Sequence, residues 1–133
     1  MIISIIDGKI RKAFSDAAMQ YDTLTSLHKE IGRELTQKMQ HCDPCVRVLD
    51  IGMGTGWFTQ RLTNIFSEAV VIGIDSAPGM IACARQRAGT FRIVQAAAAH
   101  LPFKEGAFDI ITSNLAYQWI VDLTRAFQLC YSR

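Results

Sequence analysis

Gly52, Gly54 and Gly56 stand at alternate positions directly after the apolar run Val46 to Ile51, and Trp57 to about Phe66 then carries apolar residues at helical spacing. A strand that passes into a helix through a loop without Cβ atoms bends sharply, or lets a ligand come close to the backbone. Either way the chain needs a parallel strand next, because a strand, loop and helix in that order return to the sheet as a right-handed crossover. The sequence supplies one. Ala69 to Asp75 is continuously apolar, as in a strand covered on both faces. Pro78 suits the first turn of a helix running to about Ala88, which Gly89 ends. "FRIVQA" gives a third strand, "LPFKEGA" a loop, Phe108 to Asn114 a fourth strand, and "DLTRAFQLCYSR" a last helix. The alternation predicts an α/β fold, a Rossmann-like doubly wound parallel sheet.

Two helices are expected ahead of the sheet. Ile10, Phe14, Ala17, Ala18 and Tyr21 recur at three- and four-residue steps, and Leu24, Leu27, Ile31, Leu35 and Met39 repeat the pattern until Pro44 breaks it. With 133 residues, half of them hydrophobic, the chain fits one domain: a helical segment over 8–41 and an α/β core over 45–133. A net charge of +2 does not indicate a nucleic-acid binder. No run approaches a membrane span, and "MIISIID" lacks the basic flank of a secretory signal, so a soluble, cytoplasmic protein is expected. Cys42 and Cys45 form the one close cysteine pair. Only His41 lies beside it, and the pair precedes a strand instead of opening a helix, so a connector is favoured over a zinc or redox site.

In a doubly wound sheet ligands sit at the carboxyl ends of the strands, where this loop falls. The dinucleotide fingerprint is G-x-G-x-x-G; this loop is G-x-G-x-G, one residue shorter, which disfavours a nicotinamide cofactor. Nineteen residues beyond Gly56, Asp75 closes the second strand at the offset where an acid accepts hydrogen bonds from ribose hydroxyls. Loop and acid together point to a nucleoside ligand. Asp50 is open to two roles, orienting a cationic group of that ligand or bonding the loop amides.

"VLDIGMGTGWFTQRL", "VIGIDSAPGMIACAR" and "LPFKEGAFDIITSNLAYQW", in that order, resemble a class I S-adenosylmethionine-dependent methyltransferase. The upstream "IRKAFSDAAMQYD" is similar to the N-terminal segment of the malonyl-acyl-carrier-protein O-methyltransferases of biotin synthesis. The resemblance implies that Gly52, Gly54 and Gly56 line the methionine portion of S-adenosylmethionine, that Asp50 lies near its amino end, and that Asp75 holds the ribose. Asn114 would face the reactive centre and Tyr21 would help close the pocket, both positioning the substrate, although Tyr21 fits a plain core position as well. The implied acceptor is a carboxylate, on a small molecule or an acyl-carrier protein. Its methylation needs no general base, since carboxylate and sulfonium react without moving a proton; His28, His41 and His100 are accordingly expected at the surface or in packing. Arg11, Lys12, Arg85 and Arg87 could meet an acidic carrier, or simply be solvated.

Several positions depart from the family pattern. Ala97 stands where an acid contacts adenine, Ser76 where an apolar residue packs on it, Ala77 where a serine caps the next helix, and Met53 where cysteine is common between the first two glycines. Family members also continue through further strands. A sheet ending at strand four keeps an exposed edge that an oligomer or a partner chain would cover. The competing expectation is a non-catalytic module that kept the fold and serves as a binding or assembly partner.

Overall fold

A computed structural model describes residues 2–40, 47–87, 89–120 and 122–132. The chain order is α1 (Ile2–Leu24), α2 (Ser26–Met39), β1 (Arg47–Ile51), α3 (Trp57–Ile65), β2 (Val70–Asp75), α4 (Pro78–Arg87), β3 (Arg92–Gln95), β4 (Ile110–Thr112), a 3-10 turn (Tyr117–Trp119) and α5 (Leu123–Ser132). All four strands run parallel in the order β3-β2-β1-β4. The expected doubly wound α/β sheet is present. The first helix starts at Ile2, well before its apolar stripe begins at Ile10, and the fourth strand is shorter than its apolar run. The CDPC pair and His41 lie outside the described residues.

β1 explains why the sheet is covered on both sides. Successive strand residues face opposite ways, and here both ways are apolar: Val48 joins a core with Phe58, Leu62, Val71, Ile81 and Phe91, while Leu49 and Ile51 join Ile74 and Leu101. Helices α3 and α4 supply much of the first layer, and Leu129 of α5 packs against the second. β1 is therefore the centre of the molecule, and its carboxyl end opens where the strand order reverses between β1 and β4.

The helix α1 packs along α4, through Ala18 against Ala77 and Met80. Ala77 leaves α4 without a serine cap of its own. The structure supplies one from elsewhere: the Ser15 hydroxyl of α1 accepts the Gly79 N–H at 2.7 Å. Gly79 is required for this approach, since a Cβ there would lie 2.2 Å from the Ser15 carbonyl oxygen. The cap expected to be lost is thus replaced across the helix pair.

Candidate functional site

The glycine loop joins β1 to α3, and its glycines serve different ends. Gly52, Gly54 and Gly56 all have positive φ, +71°, +57° and +84°. A Cβ at Gly52 would sit 2.2 Å from that of Ala116, and one at Gly56 would sit 2.8 Å from the Phe91 ring, so the protein's own packing demands glycine at both. At Gly54 a Cβ would find nothing nearer than Met80 and Tyr21 at 3.8 Å. Gly54 is therefore the position where the missing side chain leaves room. Gly52 and Gly54 line the main cleft, whereas Gly56 is buried against Phe91 and stands apart from the other expected site residues.

That cleft encloses about 1110 Å³, part of it open to solvent. It brings together Tyr21, Gly52, Gly54, Asp75, Ser76, Ala97 and Asn114, residues spread over most of the chain. Asp75 stands in its wall. One carboxylate oxygen accepts the Ala77 N–H at 2.8 Å and the other the Gly54 N–H at 2.9 Å. A carboxylate offers about four acceptor directions in all, so with three backbone amides directed at it Asp75 retains capacity for a further donor. Burial pushes the Asp75 pKa up, and the amides of Ala77, Gly54 and Ser76 oppose it.

A smaller polar pocket adjoins the cleft between α1, α2 and the loop, with Asp50, Gly52, Gly54, Tyr21, His28 and Asn114 in its wall. Asp50 is 1% exposed. One of its oxygens accepts the Thr59 hydroxyl at 2.7 Å; the other has no partner among the described residues. Asn114 donates its Nδ2 to the His28 carbonyl at 3.0 Å, and its buried Oδ1 likewise has no partner. Buried acceptors are nearly always satisfied in folded proteins, so two orphans in one small pocket mark a place for donors. Burial, with the Asp75 charge nearby adding to it and the Thr59 hydrogen bond opposing it, raises the Asp50 pKa to about 7. Of the two roles open to Asp50, bonding the loop amides is not what the geometry shows: Asp75 does that.

Aromatic rings from separate elements roof the cleft. Phe14 meets Tyr21 edge-on at 6.1 Å and Trp119 at 5.5 Å, and Tyr21 meets the His28 ring at 5.8 Å. Burial and the charges of Asp75 and Asp22 raise the Tyr21 pKa, so the phenol keeps its proton. At the far wall Leu115 has a left-handed backbone, φ 55°, directly after Asn114. For a γ-branched residue this is strained, and such strain concentrates at functional sites.

Three residues were not visible as site residues in the sequence. Asp22 accepts the Thr55 hydroxyl at 2.5 Å and pairs with Arg87, whose Nε donates to the Thr55 carbonyl at 3.1 Å. One ion pair thus holds α1, α4 and the glycine loop together. Arg87, considered above as a contact for an acidic carrier, is engaged within the chain. His28, expected at the surface or in packing, lines the smaller pocket. Asp22 lies 33 residues from Thr55 and 65 from Arg87, which leaves no local pattern.

Residues 49–132 match the family model described as a methyltransferase domain. The malonyl-[acyl-carrier protein] O-methyltransferase of Hahella chejuensis is 37% identical over 117 residues, 86% of this chain and 42% of that protein. That of Legionella pneumophila is 32% identical over 127 residues, 92% and 45%. The chain spans less than half the length of these relatives. A solved SAM-dependent methyltransferase from Aquifex aeolicus superposes with a TM-score of 0.73 over 89% of this chain and 65% of the other; at 13% identity it speaks for the fold.

Proposed function

The chain belongs to the methyltransferase-domain family, and from that premise we propose that it is the donor-binding part of an S-adenosylmethionine-dependent methyltransferase acting on a carboxylate, such as a malonyl group on an acyl-carrier protein. The observation that carries the donor assignment is the pair of orphaned acceptors, Asp50 Oδ1 and Asn114 Oδ1, beside a loop opened at Gly54. An amino-acid ammonium, with three donors and a positive charge, suits both. Asp75 retains acceptor capacity for a ribose hydroxyl, and Ser76 and Ala97 would border the base. The residues present fit the group. Bound there, S-adenosylmethionine supplies a methyl group already activated by its sulfonium.

The chain's own residues would bind, orient and exclude water. Asp50 and Asn114 would anchor the ammonium, which fixes how far the donor enters. Tyr21, protonated and roofing the cleft with Phe14 and Trp119, would keep water out and present a hydroxyl donor to an acceptor carboxylate. A carboxylate acceptor requires no base, and alignment in a dry site is then the main source of rate. The acceptor class is supported by the curated relatives, whose names specify malonyl-acyl-carrier protein. As to organisation, the helical segment 8–41 and the core 45–133 would act as one domain in the cytoplasm. A further segment or a second subunit would cover the β4 edge, beside which Phe127 and Tyr131 are exposed.

Calorimetry with S-adenosylhomocysteine, S-adenosylmethionine and NAD tests the donor; methyl transfer to malonyl thioesters tests the acceptor. Binding of the first two alone is expected. Binding of NAD alone would overturn the assignment, and binding of none would favour a non-catalytic assembly module, the reading that the alanine-lined base end also admits.

A further inference from the structure

The amino-acid end of the donor carries an ammonium and a carboxylate on one carbon, and the orphaned acceptors Asp50 and Asn114 suit only the ammonium. The small polar pocket that holds these two acceptors also holds a cation, Lys29, from the start of α2. No other lysine or arginine among the described residues lines this pocket. The Lys29 ammonium donates to the Asp22 main-chain carbonyl at 2.7 Å and lies 5.9 Å from the centre of the Trp57 ring. An ammonium has three donors, so two remain. Among the described residues neither Asp50 nor any other carboxylate forms an ion pair with it. One pocket thus presents a buried carboxylate and, apart from it, an ammonium without a counter-ion.

The surroundings favour an anion beside Lys29. Arg33 and Arg61 lie 5.6 and 5.2 Å from the centre of the same indole, so three cations crowd one ring, and among the described residues neither arginine has a carboxylate partner. Glu30 and Glu34 follow Lys29 and Arg33 on α2, but they are exposed, lie about a quarter turn round the helix and stay out of the pocket wall. Asp22, the other acid in the wall, spends its carboxylate on the Thr55 hydroxyl and on Arg87. Several donors in the wall are spent as well. The Thr25 hydroxyl donates to the Tyr21 carbonyl at 2.9 Å, the Met53 N–H to the Ile74 carbonyl at 2.8 Å and the Gly54 N–H to Asp75 at 2.9 Å. The Gly52 amide, the first amides of α3, the Tyr21 hydroxyl and the rings of His28 and Trp57 remain as competitors. Lys29 brings the ammonium among them, and charge-assisted hydrogen bonds are the stronger ones.

We propose that Lys29 holds the α-carboxylate of the donor, so that the pocket grips both charges of the amino acid at once. The inference rests on the donor reading above and deepens it. Asp50 and Asn114 select the ammonium, Lys29 selects the carboxylate, and a ligand lacking either charge loses part of its hold. The carbonyl that steadies Lys29 belongs to Asp22, whose side chain holds the glycine loop through Thr55, so one turn of α1 positions both the loop and the cation.

The test compares S-adenosyl-L-homocysteine with its decarboxylated analogue, which keeps the ammonium and loses the carboxylate, by calorimetry on the whole chain. Wild type is expected to prefer the carboxylated compound by about tenfold or more, the effect of a charged hydrogen bond. Lys29→Gln is expected to bring the two within about threefold of each other by weakening the carboxylated compound, and Lys29→Arg to retain most of the preference. A merely structural role for Lys29 would weaken both compounds alike and leave their ratio unchanged. Lys29→Met serves as the second uncharged variant, and thermal melts establish that each variant folds. A preference that survives in both uncharged variants would place the carboxylate on the amides or the rings and overturn the inference. Equal binding of the two compounds by wild type would also overturn it and leave the donor reading standing. Failure of wild type to bind either compound would overturn both.

Discussion

Replacing Asp50 by Asn separates the cost of this carboxylate to the fold from its value to the ligand. Asp50 is fully buried, and its pKa rises from 3.8 to about 7. The folded protein therefore holds a proton that the unfolded chain releases between about pH 4 and pH 7. Folding stability falls as pH rises through that window, because the unfolded state binds fewer protons than the folded one there. At about 1.36 kcal/mol per pH unit, the full cost above pH 7 is about 4 kcal/mol. Asn has nearly the same shape, its carbonyl can accept from Thr59, and it does not ionise. Asp50→Asn should leave the melting temperature at pH 4 nearly unchanged and raise it at pH 8 by roughly 10 °C, at about 3 °C per kcal/mol for a chain of this size. Ligand binding should move oppositely. The ammonium of S-adenosylhomocysteine favours the ionised carboxylate, so wild-type affinity should fall up to about tenfold per unit below pH 7. The Asn variant should bind at least about tenfold more weakly at pH 8 and show no such pH dependence. Equal melting shifts at both pH values, or full affinity in the variant, would refute the reasoning.

Three other perturbations follow from the geometry. Ser15→Ala removes the cap that α1 supplies to α4 and should cost about 1 kcal/mol in urea unfolding; no loss would mean that water caps Gly79 as well. Arg87→Gln cuts the ion pair that ties α1 to the loop, and should speed amide exchange in α1 and weaken S-adenosylhomocysteine binding about tenfold while the sheet stays protected. Gly52→Ala and Gly54→Ala should part company: the first drives a Cβ into Ala116 and should destabilise by about 2 kcal/mol or more, while the second folds with about 1 kcal/mol of backbone strain and loses the ligand. Urea titration and calorimetry on the same samples decide it.

The parts legible in the sequence were those with a local signature. The run Val46 to Ile51, the glycines and the apolar β2 name their own conformations, and one strand-terminal acid at the right offset was enough to point to Asp75. Gly56 shows the limit of such motifs: it stands in the pattern, yet packing against Phe91 accounts for it and the cleft does not reach it. Asp22, Arg87 and His28 failed to register because their partners lie far along the chain and nothing in their neighbours differs from a solvated helix face. The part of α1 ahead of Ile10 was hidden for another reason, since Ile5 and Ile6 there are exposed and add no buried stripe to count.

The losses along α4 and the loop have a common remedy, and it changes what the N-terminal helices are for. Ala77 removes a local cap, and Ser15 restores it. The glycine loop has few side chains with which to fix itself, and Thr55, its one hydroxyl, is held by Asp22 while Arg87 takes its carbonyl. Asp75 then pins Gly54 from the other side. Two of these four restraints come from α1. A helix serving only as a roof could hinge without disturbing the donor loop, but α1 carries both the roof residues Phe14 and Tyr21 and the anchors Ser15 and Asp22 within one rigid stretch. Opening the roof must therefore strain or break the anchors, so access of ligand and order of the loop are coupled. On the proposed assignment helix α1 is part of the donor site itself, and a core beginning at β1 would keep the motif while losing the geometry that holds the loop.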